Sequence, residues 1–200
     1  MKKFLVSIVA MLVAAPSFAQ FSSGGFELDK ENLYYGVRIG ITSASINGDL
    51  DLGARVGMTL AGVLGLRVSS TTPVFLESGL YYTERGGKTS PVTVKHNNLE
   101  IPLLIKYGIQ ASDDIAVLPF VGPYFAYAVT STYKIKGDNA DVSGKADLNR
   151  ANMGFKLGCG FEYNKLYLEV GYQLAVTNIL DDDDLSAHNN TLFANFGINF

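Results

Sequence analysis

The chain is predicted to fold as an all-β, eight-stranded antiparallel up-and-down transmembrane β-barrel with a cleaved N-terminal signal peptide. Three observations lead there. Residues 191–200, TLFANFGINF, alternate without a slip and finish on a phenylalanine, the period-two pattern of a strand with one apolar face. At the other end Lys2 and Lys3 precede an apolar run over residues 4–15, then Pro16 and the small-residue site Ser17-Phe18-Ala19, the layout of an export signal. Between the two, no run of about 18 apolar residues recurs, although 48% of the chain is hydrophobic and it holds 12 Phe, 11 Tyr and 21 Gly. The apolar residues come instead in alternating segments of about ten, the length of a tilted strand crossing a bilayer.

The first apolar run, at about a dozen residues, is shorter than the roughly 20 that span a membrane as a helix. Residues 1–19 are therefore read as a signal peptide, residues 20–31 as a periplasmic lead, and residues 32–200 as one barrel domain. Cys159 is the sole cysteine, so neither a lipidated cysteine after the cleavage site nor an intrachain disulfide is available. Loss of Lys2 and Lys3 takes the formal charge from −3 to about −5, which disfavours a nucleic-acid partner.

Eight segments follow in order. Residues 32–42 place Leu33, Tyr35, Val37, Ile39 and Ile41 on the lipid side and Tyr34, Gly36, Arg38 and Gly40 inward. Residues 54–66 set Val56, Met58, Leu60, Leu64 and Leu66 against Arg55, Gly57, Thr59 and Ala61. Residues 74–85 oppose Leu76, Leu80 and Tyr82 to Phe75, Glu77, Gly79, Tyr81 and Arg85. Residues 98–108 oppose Leu99, Ile101, Leu103, Ile105 and Tyr107 to Glu100, Pro102, Leu104 and Lys106. Residues 116–130 are apolar on both faces and carry Pro119 and Pro123, each lacking a ladder donor, so their register stays open. Residues 151–163 and 166–176 alternate cleanly, with Lys156, Glu162, Glu169 and Gln173 inward, and residues 191–200 complete the eight.

The connections alternate long and short: 43–53, 67–73, 86–97, 109–115, 131–150, 164–165 and 177–190. Membrane barrels have short periplasmic turns and longer outer loops, and an even strand number leaves both termini in the periplasm. Hydrocarbon offers no water to an open sheet edge, so the first segment must pair with the last. Charges must then point inward, because Arg or Lys facing lipid at mid-bilayer costs about 2 to 4 kcal/mol. By parity Arg38, Arg55, Lys106 and Lys156 face the lumen with Glu77, Glu100, Glu162 and Glu169. An interior that side chains can fill makes these eight, with Arg85 and Gln173, a polar plug. Phe196, Ile198 and Phe200 form the C-terminal insertion signal.

Residues 98–108, NLEIPLLIKYG, resemble the motif of PorT-type outer-membrane β-barrel domains. LESGLYYTERGGK at 76–88, PFVGPYFAY at 119–127, Gly154, Gly158, Gly160 and VTNI at 176–179 match in order. The likeness covers nearly all of the mature chain and implies a fold and a location. It implies no reaction and no role in secretion. Asn152 departs from the pattern, where an aspartate is the more usual residue.

Catalytic chemistry has few candidates. His96 and His188 are the 2 histidines and fall in expected outer loops, His188 near residues 181–184 (DDDD) and Ser186. A surface hydrolase is one alternative. The acidic run lacks the alternation and turn glycine of an EF-hand, and the paired glycines have no strand-to-helix setting for a phosphate loop. No catalytic, cofactor or metal residue is assigned. Cys159 points outward into lipid, and the tyrosines suit interfacial girdles, with Tyr34, Tyr81 and Tyr167 inward.

The expectation is a small non-enzymatic barrel in the outer membrane of a Gram-negative bacterium, with a filled polar lumen and exposed loops. Its role would be envelope structure or surface interaction. Its partners would be outer-membrane lipid, lipopolysaccharide and the barrel-assembly machinery, with residues 131–150 as the main external surface. A second alternative, a soluble lipocalin-like binder of a small ligand, requires the apolar face inside.

Overall fold

A computed structural model describes residues 33–49, 51–69, 71–137, 141–146, 148–180 and 186–200. The expected signal peptide and periplasmic lead, and the acidic run 181–184, lie outside the described residues. Ten strands are formed: β1 (Leu33–Gly48), β2 (Leu52–Arg67), β3 (Val74–Thr89), β4 (Val92–Tyr107), β5 (Ile109–Ser112), β6 (Ile115–Ile135), β7 (Val142–Lys145), β8 (Ala151–Tyr163), β9 (Leu166–Ala175) and β10 (Ala187–Asn199).

Eight of these, all but β5 and β7, pair antiparallel in sequence order, and pairing of β1 with β10 closes the ring. Closure satisfies the row of backbone groups that lipid cannot. At the seam the Tyr35 N–H donates to the Phe200 carbonyl at 3.2 Å and the Phe200 N–H returns to the Tyr35 carbonyl at 2.7 Å. Their rings stack with centroids 5.5 Å apart. β5 and β7 are short partners of β6 at opposite ends of that strand.

The outer surface is the apolar one. Val37, Ile39, Ile41, Val56, Met58, Leu60, Ile101, Leu103, Ile105, Phe155, Leu168 and Phe196 are all exposed. The soluble lipocalin-like alternative, which needs the reverse polarity, is thereby overturned. Tyr82 pairs across to Leu99 and Leu99 to Tyr127, an aromatic row at one margin. Tyr107 and Tyr163 mark the other. From Leu99 to Tyr107 the strand covers nine residues, enough for a tilted crossing. Among the described residues no Asp, Glu, Lys or Arg faces outward between the two rows. Ser78, on the outward face of β3 between the two rows, donates to the Pro102 carbonyl at 2.7 Å and so avoids the cost of an unmade bond.

The register of the fifth wall strand is set by what it packs against. Leu118, Phe120, Tyr124, Ala126 and Ala128 point inward and are buried, which puts Pro119 and Pro123 on the lipid side. The β4–β6 ladder lapses opposite Pro123 and the β3–β4 ladder lapses opposite Pro102, because neither ring can donate.

The strands run further than expected at the end away from the chain termini. Residues 43–53 and 86–97, expected as loops, are mostly strand: β1 runs on to Gly48 and β2 begins at Leu52, and β3 and β4 turn at Ser90 and Pro91. Part of the expected loop 131–150 is the continuation of β6 and its pairing with β7. The outward apolar stripe stops at Ile41 and gives way to Ser43, Ser45 and Asn47, so the lipid pattern ends where the hydrogen-bonded ladder does not. Gly48 at φ 126° and Gly86 at φ 133° supply positive φ in this extension.

Candidate functional site

Alternation along the wall strands delivers every long charged side chain of the membrane section to the lumen, where four cations and four carboxylates are buried: Arg38, Arg85, Lys106 and Lys156 with Glu77, Glu100, Glu162 and Glu169. They meet in three groups. Nearest the chain termini, Lys106 Nζ lies 2.8 Å from Glu77 Oε1 and Arg38 Nη2 lies 3.7 Å from Glu77 Oε2. Tyr34 donates to Glu77 Oε2 at 2.7 Å, and Lys106 donates to the Tyr167 hydroxyl at 2.7 Å. The Arg38 guanidinium sits 4.1 Å above the Tyr167 ring and donates to Asn199 Oδ1 at 2.5 Å, while Asn199 donates to Glu162 at 2.8 Å.

In the second group Lys156 is 3.7 Å from Glu169, and Asn195 donates to the same carboxylate at 2.7 Å. The ammonium is flanked by Tyr81 at 4.3 Å and Phe193 at 4.2 Å to ring centroids. In the third group Arg85 and Glu100 are 2.5 Å apart. Gln173 bridges them, accepting from Arg85 at 2.8 Å and donating to Glu100 at 2.9 Å. Tyr124 accepts from Arg85 at 3.2 Å. Buried ions are tolerated only when partnered and hydrogen-bonded, and ring faces add cation–π attraction in a desolvated site.

Glycine makes room for these rings. A Cβ at Gly160 would fall 2.6 Å from Cζ of Tyr167, and one at Gly36 would fall 2.6 Å from Arg38 Nη1. Apolar side chains pack with the charges at both ends of the lumen. Tyr34, Phe75, Ala116, Leu118 and Tyr167 cluster among the charges nearest the chain termini, where Phe75 is the cross-strand partner of Lys106 and Glu162 that of Ala116 and Tyr167. Above them Ile46, Leu52, Val94, Ile179 and Ala187 cluster, with Leu148 and Leu180 against them. The upper cluster is brought over the mouth by the β9–β10 connection, where the Asn149 N–H donates to the Ile179 carbonyl at 2.8 Å and the Ile179 N–H to the Ala187 carbonyl at 2.9 Å.

Of the eight lumen residues expected from sequence, seven lie in these groups. Arg55 does not. It sits near the outer rim, donating to the Arg85 carbonyl at 2.7 Å and lying 3.9 Å from Glu84, because its position on β2 is close to the end of the strand. Arg85 takes the place beside Glu100. Tyr124, Asn195 and Asn199 join these groups as well. The two asparagines were legible from parity alone, whereas Tyr124 needed the register of β6. Phe196 and Ile198 lie on the outward face of β10, and Phe200, one residue past its end, is exposed.

His96 is not in a loop. It faces inward from β4 and is buried, with Nδ1 3.0 Å from Ser131 Oγ and Nε2 3.1 Å from Asn152 Nδ2. The Asn152 amide donates, so Nε2 is the bare nitrogen and the proton on Nδ1 points at Ser131. That arrangement cannot take a proton from Ser131. His188 stands at the start of β10, its Nδ1 3.1 Å from the Thr177 carbonyl and its Nε2 3.1 Å from Ser186 Oγ. The Ser186 N–H is committed to Asp49 Oδ2 at 2.7 Å. Among the described residues no group of three or more His, Cys, Asp and Glu is placed to hold a metal ion.

Residues 18–181 match the family model described as outer membrane protein beta-barrel domain. The chain belongs to this family. It is accordingly an integral protein of the Gram-negative outer membrane. Among curated proteins none matches the sequence significantly. Among solved structures it is similar to Neisserial surface protein A, at 17% identity and a TM-score of 0.50 over 85% of this chain and 100% of that one. The attachment invasion locus protein Ail of Yersinia pestis aligns at 12% identity and a TM-score of 0.44, over 84% of this chain and 98% of that one. A major outer membrane protein from Thermus thermophilus aligns at 14% and 0.47, over 84% and 100%.

Proposed function

We propose that this barrel is a non-enzymatic envelope protein whose lumen is closed by its own side chains and whose outer rim does the work, in envelope architecture or surface interaction. One observation carries the proposal: four buried cations balanced by four buried carboxylates, packed among buried rings at the end near the termini and beneath an apolar cluster at the other. A water-filled pore needs continuous open space, and here the paired charges and their ring partners occupy the lumen. In planar bilayers the purified protein is expected to give no nanosiemens steps. Stable open-channel conductance of that size overturns the plug.

The finer kinship to PorT-type barrels is supported by NLEIPLLIKYG, which runs along β4 and contributes Glu100 and Lys106 to the lumen. Assembly follows from the outward Phe196, Ile198 and Phe200, an apolar edge suited to recognition by the barrel-assembly machinery. Phe200→Asn is expected to slow appearance of the compact, heat-modifiable form in cells while leaving the melting temperature of the folded fraction nearly unchanged. Equal assembly rates would remove the signal role.

A surface hydrolase is favoured by one contact only, the Ser186–His188 pair with the Thr177 carbonyl holding the ring. The Ser186 amide, the natural oxyanion donor, is occupied by Asp49. Esterase assay of the wild type beside His188→Ala decides the matter: activity lost in the variant revives the enzyme, and none in either leaves the rim a binding surface.

A further inference from the structure

The cations of this protein divide sharply into the satisfied and the unsatisfied. Lumen cations all have carboxylates, Arg55 has Glu84, and Lys134 has Asp141 at 2.6 Å. Lys95, Lys145 and Arg150 are exposed, and among the described residues none of them has an ion pair or side-chain hydrogen bond. Lys95 and Lys145 lie on one stretch of the outer wall, and Arg150 edges a recess that it shares with Lys145. Lys95 of β4 is opposite Thr132 of β6, and Thr132 is opposite Lys145 of β7, so the two ammonium-bearing residues flank a threonine in a single cross-strand row, about 10 Å apart at the backbone.

Two recesses adjoin here and share Thr132 and Lys145. One, of 440 Å³, is edged by Lys95, Thr93 and Ser143; the other, of 560 Å³, is edged by Arg150, Thr130 and Val129. The floor is made possible by a bulge. β6 carries an extra residue, Val129, between the partners of Asn97 and Asn98, which brings Thr130 and Thr132 outward while Val129 keeps its side chain toward lipid. Height decides what can reach this surface. Arg150 directly precedes Ala151, the partner of Tyr127 in the upper aromatic row. Lys95 and Lys145 stand two outward rows higher. Three cations with no ion pair among the described residues, and with hydroxyls between them, therefore sit just above the hydrocarbon, at the level of the outer-leaflet headgroups.

We infer that the recess bounded by Lys95, Thr132, Lys145 and Arg150 is a binding site for the phosphate of a phosphorylated glycolipid in the outer leaflet. Its acyl chains would lie along the apolar wall beneath Val129 and Tyr127. The ammonium and guanidinium groups supply charge-assisted donors and the threonine hydroxyl completes the cradle. The inference rests on the proposed orientation, with the β6–β7 end outside the cell.

The test uses the full-length mature protein in detergent, titrated with diphosphoryl lipid A in mixed micelles, beside a variant carrying K95Q, K145Q and R150Q. These side chains are exposed, so the variant is expected to keep its heat-modifiability and melting temperature. Removal of three charges should weaken binding of diphosphoryl lipid A by about a hundredfold, and dephosphorylated lipid A should bind wild type and variant alike. Equal affinity of wild type and variant for the diphosphoryl form overturns the site. So does tight binding of inorganic phosphate alone, which would make it a site for the free anion. Ser143→Cys, in a Cys159→Ser background, separates the orientation from the chemistry. Labelling by an impermeant maleimide on intact cells supports the outward rim. A residue that labels only after lysis overturns both the orientation and the outer-leaflet assignment, whatever the phosphate titration shows.

Discussion

Glu77 with Lys106, and Asp141 with Lys134, are ion pairs of nearly the same length, 2.8 Å and 2.6 Å. The first pair is 1% exposed on each side and the second is 47% and 48% exposed. Separation is the smaller part of what an ion pair is worth. In the lumen each charge has lost its water, so removing one partner strands the other in a low-dielectric site. At the rim, water replaces whatever is removed, and an exposed pair contributes little. The interior charges therefore enforce the barrel, while rim charges are left free for partners.

The largest effect should come from Glu77→Leu, which leaves Arg38 and Lys106 without their shared carboxylate. A loss of about 3 to 5 kcal/mol is expected, read as a fall in the urea midpoint of the heat-modifiable band. The double variant Glu77→Leu with Lys106→Met should recover part of that loss, since one uncompensated charge goes with its partner. If the single and double variants are equally unstable, the lumen pair is not the source.

Gly160→Val comes next. The new side chain would occupy the space of the Tyr167 ring and push the hydroxyl away from Lys106, with overpacking worth about 1 to 3 kcal/mol. Gln173→Leu should cost about 1 to 2 kcal/mol, because Glu100 loses a donor and Arg85 an acceptor inside the barrel. Melting in detergent measures both.

The smallest effect belongs to Asp141→Asn, for which no change in melting temperature is expected. Lys134 holds the Asp141 carboxyl below its ordinary value through a hydrogen bond and its charge. A carboxylate whose pKa is depressed in the fold keeps its pair above the unfolded value and loses it only as pH falls through the folded one. Between pH 7 and pH 5 the Lys134 contact therefore stays formed, and Asp141→Asn should match the wild type across that window. A pH-dependent gap between them would show that the rim carries stability after all.

The wall strands were legible because lipid and lumen impose opposite demands on alternate residues. Parity alone put Arg38, Glu77, Glu100, Lys106, Lys156, Glu162 and Glu169 inside. It failed where those demands cease. Above Ile41 the outer face meets water instead of lipid, so the strand extensions carry no lipid stripe, and His96 reads as a loop residue although the ladder continues through it to Val92. The apolar lid was hidden for the same reason: Ile46, Leu52, Val94 and Ile179 come from four separate stretches, and nothing local marks them as neighbours. In β6 both faces are apolar, and only the neighbours of Tyr124 and Phe120 select its phase.

By itself the amino-acid order determined the membrane environment, the closed eight-strand wall and the sign of charge within it, since these follow from solvent acting on each strand separately. Tertiary structure decided which carboxylate serves which cation, that Arg85 rather than Arg55 pairs with Glu100, and that Lys95, Lys145 and Arg150 share one outer surface. Those matters depend on tilt, stagger and bulges summed around the ring, and a one-residue step at Val129 is enough to reassign them.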